Sequence, residues 1–203
     1  MLSALRRKPA DRVPTTVLIG PYCARLTRYS VREILTDARK SAAAHLAFHD
    51  RFKPDSLVVY NDIYLEAEAV GCELEFPEDR ISHPKGILLE DKAQLARLRV
   101  PDPRKDGHIP YFIEVCQRIS DQIRKTTALG LGHSGPWNIA MHLRGAEALL
   151  MDTVTDPGFV HELMKFAAEV VREVGDALIE AGFSPSLAGT PARSRSAPAP
   201  PRA

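Results

Sequence analysis

Cysteine is scarce in this chain of 203 residues, and the three present exclude more by their placement than by their number. Cys23, Cys72 and Cys116 are odd in count, widely spaced and free of any CxxC, so the chain encodes no disulfide framework. They read as small buried or half-buried hydrophobes, and a reduced, cytoplasmic setting is the natural expectation. Charge of one sign is lacking too. Lys and Arg number 27 against 26 Asp and Glu, a formal net charge of +1, without the basic footprint that nucleic acid or an anionic membrane surface attracts. No apolar run reaches the roughly 20 residues that span a bilayer. The basic start, Arg6-Arg7-Lys8, is not followed by the apolar stretch of a secretory signal. No GxGxxG follows the first apolar run and no GxxxxGK[ST] occurs, which leaves little support for a nucleotide-binding sheet.

What is present, 44% hydrophobic and 26% charged residues, suits one sizeable core. Residues 16–20 form an apolar, β-branched run that ends in a Gly-Pro turn, and 56–60 form a second; both read as strands. Ser30 and Glu33 have capping-box spacing, so a helix should begin there, and an alanine-rich helix should cover 37–52. Asn61-Asp62 closes the second strand before a helical pattern over 63–70, capped by Gly71. Residues 72–110 are broken by five prolines and read as a loop-rich insertion, with one short helix near Asp91. A helix over 111–125 and a third strand over 127–131 follow. Asp156-Pro157 signals the start of a long helix whose apolar face is Phe159, Leu163, Phe166, Val170, Val174, Ala177 and Ala181, ending at Gly182. Apolar strands alternating with long helices imply a parallel sheet with covered faces, either half of an eight-stranded barrel or part of an open doubly wound sheet.

The stretch from Gly130 to Gly145 carries the strongest local signal: a strand, a glycine-proline turn, then a helix opening at Pro136 or Trp137. Such loops build the active-site face of α/β barrels, although an ordinary βα turn reads the same way. Asp62 stands at the end of an apolar strand, where it either carries chemistry or simply caps the next helix. Arg25 and Arg28 follow the first strand and either fork onto anionic groups or lie free in solvent. Trp137 suits a pocket wall or the core, and His133 and His142 flank the glycine-rich turn, facing a ligand or satisfied within the fold. His45 and His49 have i, i+4 metal-ligand spacing, but no third ligand is evident and surface histidines are the better reading.

Together these stretches resemble the uroporphyrinogen decarboxylase superfamily, which includes the tetrapyrrole decarboxylase, a lyase, and corrinoid-dependent methyltransferases. Leu57-Val58-Val59-Tyr60-Asn61-Asp62-Ile63 and the helix to Gly71 look like that family's strand, Ser-Asp-Ile and E/A-A-E-A-x-G segment. Gly135-Pro136-Trp137 through Gly145, with the Ala148-to-Asp152 run and Asp156-Pro157, is similar to its G-x-x-G-x-P-W/F-T segment and the helices after it. The resemblance runs from about residue 12 to residue 182. It implies the N-terminal portion of a (β/α)8 TIM barrel, incomplete over 1–183, with Asp62 as the catalytic carboxylate and Arg25, Arg28, Trp137 and His142 as substrate-binding candidates. The implied ligand is a tetrapyrrole, with no cofactor or metal, in the decarboxylase reading. It is a corrinoid-bound methyl group, with zinc, in the methyltransferase reading. Two departures favour the second or an uncharacterised branch: Cys23-Ala24-Arg25-Leu26-Thr27-Arg28 stands where decarboxylases carry R-Q-A-G-R, and His142 where they carry tyrosine. The H-x-C zinc motif of the methyltransferases is absent from this sequence.

Residues 184–203, almost wholly Ser, Pro, Ala and Arg, read as a disordered tail, either natural or the product of a frame slip, since a fourth strand is expected just after Gly182. A half-barrel would not be active alone. The other reading is a non-catalytic module that pairs with a companion chain or with itself as a homodimer. A third is an unrelated doubly wound fragment.

Overall fold

The computed structural model describes residues 7–9, 11–181 and the backbone of 185–187. Its strands are β1 (Thr16–Leu18), β2 (Ser56–Val59), β3 (Leu74–Glu75), β4 (His83–Pro84), β5 (Ala128–His133) and β6 (Pro185–Leu187). β1, β2, β5 and β6 lie side by side in that order and all run parallel; β3 and β4 form a separate antiparallel pair. The helices are α1 (Val31–Thr36), α2 (Ala38–Phe52), α3 (Leu65–Val70), α4 (Ile109–Ile123), α5 (Pro136–Arg144), α6 (Ala146–Thr155) and α7 (Pro157–Glu180), with 3-10 segments at Gly20–Leu26 and Lys92–Arg97.

Register decides which side chains meet the core. Val17, Leu57 and Leu129 are aligned across three strands, and Leu57, Val59 and Leu131 on that face are buried beneath helices. The alternate positions, Leu18, Val58 and Gly130, point to the opposite face. Ser30 and Glu33 close the expected capping box on α1, and Asp37 caps α2.

Several boundaries differ from the sequence pattern for local reasons. α4 starts at Ile109, not 111, because Pro110 sits in the first turn, where its missing N–H costs nothing. β5 extends past 131 to His133, since the turn is delayed until Pro136. α3 begins at Leu65 rather than 63, because Asp62 to Tyr64 form a side-chain-closed turn first. The apolar face of α7 is rotated from the expected one: Val160, Leu163, Ala167, Val170, Val174 and Leu178 are buried, while Phe159 and Phe166 are only partly so.

The insertion is fastened to α5 and α6. Arg144 Nη1 donates to the carbonyls of Leu89 and Glu90, and Asp152 joins Arg144 (2.8 Å) to Lys92 (2.7 Å). A fourth parallel strand, β6, stands where one was expected after Gly182. Apart from β6, the expected tail over 184–203 and the helix end at Gly182 lie outside the described residues.

Candidate active site

Parallel strands bring their C-terminal ends to one edge, and Asp62 stands there, just beyond β2. It is 8% exposed. Its Oδ1 accepts the Tyr64 N–H at 3.0 Å, while Oδ2 is buried with no hydrogen-bond partner among the described residues. Asp62 therefore does not cap α3, whose N-cap position is Tyr64 with no side-chain cap. A buried carboxylate oxygen without a donor is costly, on the order of 1–3 kcal/mol, unless something else completes it. Beside it lies a cavity of about 10 Å3, room for roughly one water, whose polar lining is Tyr60, Asn61, Asp62, Glu68, His108 and Tyr111. Burial first, and the Asp62 charge second, push the Tyr60 phenol up.

Glu68 and His108 line the same cavity. His108 Nδ1 meets Glu68 Oε1 at 2.6 Å, and the His108 backbone N–H donates to Glu68 Oε2 at 2.9 Å. The hydrogen bond to Glu68 raises the imidazole above its usual range, against the effect of burial, and the Asp62 charge adds to the rise. Phe76 and Tyr111 flank the ring at centroid distances of 5.1 and 5.9 Å. The loop can reach α3 only because Gly107 has φ of +56° and no Cβ; an added Cβ would lie 2.9 Å from Ala69 Cα.

Glu66, two residues from Glu68 and so on the other side of α3, is 1% exposed and binds the glycine-rich segment. Its Oε1 accepts from His133 Nδ1 (2.8 Å) and from the Ser134 N–H (3.0 Å), while Oε2 is buried without a partner among the described residues. His133 Nε2 donates to the Val171 carbonyl at 2.9 Å. Both ring nitrogens thus face acceptors, which only the doubly protonated imidazolium satisfies. Burial disfavours both charges, yet the pairing prevails: it holds Glu66 below and His133 above their ordinary values.

The other predicted residues share the edge but not the cavity. His142 stacks on Tyr64 with ring centroids 4.4 Å apart, and burial lowers its pKa, so it is a neutral imidazole at neutral pH. Trp137 is 39% exposed in the first turn of α5. Arg25 and Arg28 lie exposed in and just after the 3-10 segment that follows β1. None of these four lines the cavity at Asp62.

His45 and His49 require correction, because they are neither surface groups nor a metal pair. His45 is fully buried: its Nδ1 donates to the Ser41 carbonyl (2.8 Å) and its Nε2 accepts the Tyr60 N–H (3.0 Å), and burial lowers its pKa to about 4. It anchors the end of β2. His49 Nε2 pairs with Thr127 Oγ1 at 2.7 Å. Among the described residues no group of three His, Cys, Asp or Glu side chains could hold a metal ion. All three cysteines are buried, and burial pushes the Cys23 and Cys72 thiols to about 11.

Sequence reasoning missed Glu66, Glu68 and His108. The available signal was a pair of acids in an alanine-rich helix, Leu65-Glu66-Ala67-Glu68-Ala69, with no basic residue three or four positions away to pair them on the surface.

The chain matches the family model described as uroporphyrinogen decarboxylase (URO-D) over residues 1–184. The uroporphyrinogen decarboxylase of Methylococcus capsulatus is 27% identical over 203 residues, covering 89% of this chain and 55% of that protein. That of Xanthomonas oryzae pv. oryzae is 30% identical over 154 residues, covering 70% of this chain and 42% of that protein. A solved methyltransferase from Methanosarcina mazei superposes with a TM-score of 0.79 at 22% identity, over 90% of this chain and 55% of that one. The chain spans about half the length of the curated relatives it matches.

Proposed function

This chain belongs to the uroporphyrinogen decarboxylase family, and from that premise we propose that Asp62 is the reacting carboxylate of a cyclic tetrapyrrole site. The observation that carries the reading is the free, buried Oδ2 at the C-terminal edge of the sheet, held in place through Oδ1. Such an oxygen can accept pyrrole N–H hydrogen bonds. When a pyrrole ring is protonated, the same fixed anion stabilises the cation far better than reorienting water does. Exposed Trp137, in the first turn of α5, and Ile63, on the loop after β2, offer apolar surface to the face of a macrocycle, and Arg25 and Arg28 offer cations to its carboxylates.

A second reading, methyl transfer from a corrinoid, is favoured by one feature, the neutral His142 where decarboxylases carry tyrosine. The zinc of that chemistry does not fit the described residues: no ligand group is present and the cysteine thiols are buried and held protonated. No step through zinc follows from them.

Titration with uroporphyrin, followed by the shift of its main absorption band, separates these readings. The wild-type chain should bind saturably and Asp62→Asn at least roughly tenfold more weakly, the loss of one charged hydrogen-bond acceptor. Equal binding by both would remove Asp62 from the site, and saturable binding of methylcobalamin alone would favour the second reading.

A further inference from the structure

We propose that His108, clamped by Glu68, is the relay through which Asp62 exchanges protons with solvent, by way of the one-water cavity that the two residues share. This rests on Asp62 being the reacting carboxylate. In a decarboxylation the C–C bond to the carboxylate breaks, carbon dioxide leaves, and the electron pair left on carbon takes up a proton. One proton is consumed for each carbon dioxide released, and it must enter a region from which bulk water is excluded.

The geometry offers a supply line. Asp62 is 8% exposed and presents an unpartnered Oδ2. The adjoining cavity, about 10 Å3, is the size of a single water and has polar groups from three elements on its walls. The His108 side chain also lines this cavity and is 33% exposed, so it meets solvent as well. Glu68 occupies Nδ1, which leaves Nε2 as the nitrogen that can gain and lose a proton; it has no hydrogen-bond partner among the described residues. The groups facing the ring are Glu68 from α3, Tyr111 from α4, Phe76 beyond β3, and Asp62 with Tyr60 at the end of β2. Glu68 first, and Asp62 with it, raise the imidazole above its ordinary value, against the effect of burial. Gly107, Glu68 and the flanking rings fix the side chain, a restraint that a solvent-exposed histidine without a task would not need.

Two measurements on the whole chain test the relay without requiring turnover. In a pH jump followed by time-resolved infrared absorption, the carboxyl band assigned to Asp62 is the one missing from Asp62→Asn. Its rise should slow by roughly tenfold or more in His108→Gln, which keeps a donor for Glu68, and added imidazole should restore the rate. An unchanged rate, or a slowed rate that imidazole does not restore, overturns the relay. Independently, the NMR titration midpoint of His108 should fall in Asp62→Asn, because the Asp62 charge contributes to raising it; an unmoved midpoint overturns the shared cavity even if His108→Gln fails to fold. A relay that fails while uroporphyrin binding still depends on Asp62 leaves the proposed function standing. Uroporphyrin binding that ignores Asp62 overturns both.

Discussion

What occupies the two ring nitrogens of a buried histidine sets how it answers to pH, and this chain contains both cases. His45 donates from one nitrogen and accepts on the other, so it is neutral; His133 donates from both, so it is charged. The folded pKa of His45, about 4, lies below the unfolded value near 6.5. Its contribution is therefore complete above about pH 6.5 and is lost as pH falls toward 4, a change of roughly 3 kcal/mol. His133 has the opposite sign. Its pKa is raised, so its contribution is whole below the unfolded value and fades as pH rises through the folded one, whereas Glu66, lowered, loses its contribution as pH falls through its own folded value. Urea unfolding measured between pH 7 and pH 4 should show the acid loss, and His45→Gln should flatten it; an unchanged slope would mean that His45 is not the titrating group. Glu66→Gln leaves an imidazolium buried without a counter-charge and should cost about 3–5 kcal/mol at neutral pH.

Two glycines separate what an element needs from what it merely tolerates. Gly175 sits inside α7, where an added Cβ would meet His133 Nε2 at 3.6 Å, an ordinary contact. Gly175→Ala should therefore leave stability unchanged or raise it by up to about 1 kcal/mol, through helix propensity. Gly107→Ala places a side chain at positive φ and against the backbone of α3, which should cost on the order of 1–3 kcal/mol and pull His108 off Glu68. Thermal melts of the two variants should shift in opposite senses or, at the least, differ widely; the reverse order would refute the packing described at both places. The same contrast explains what was legible in the sequence. Strands, the capping box at Ser30 and the long amphipathic α7 are written in neighbouring residues, so their periods and caps could be read directly. Asp62 could be singled out for the same reason, at a strand end, where its cap and its catalytic readings share one sequence pattern; the bond to Tyr64 N–H sets the cap aside, and the catalytic reading is the one proposed above. Glu68 with His108, 40 positions away, and Glu66 with His133, 67 positions away, are pairings made by the fold, and no local spacing announces them.

A parallel sheet is stable in water when both faces are covered. Here helices cover one face, and the other carries Val58, Gly130 and Leu18, the last 71% exposed. On β1 the edge, unpaired among the described residues, adds backbone donors and acceptors to that apolar surface. In an eight-stranded barrel this face would turn inward against further strands. Left open, it should bring copies of the chain together in solution, and the association should grow with concentration as the hydrophobic effect and strand pairing act at once. A second apolar patch competes for the same role: Leu150, Met151 and Val154 on α6, with Val154 82% exposed. The two differ in what they can offer, since α6 has its backbone bonds closed within the helix and presents only side chains, while β1 presents an edge as well. Sedimentation velocity at increasing protein concentration should therefore show self-association that Leu18→Lys weakens and Val154→Lys leaves in place. If Val154→Lys alone disperses the chain, contact runs through the helical surface. A wild-type chain that stays monomeric throughout would refute the open, self-associating sheet face.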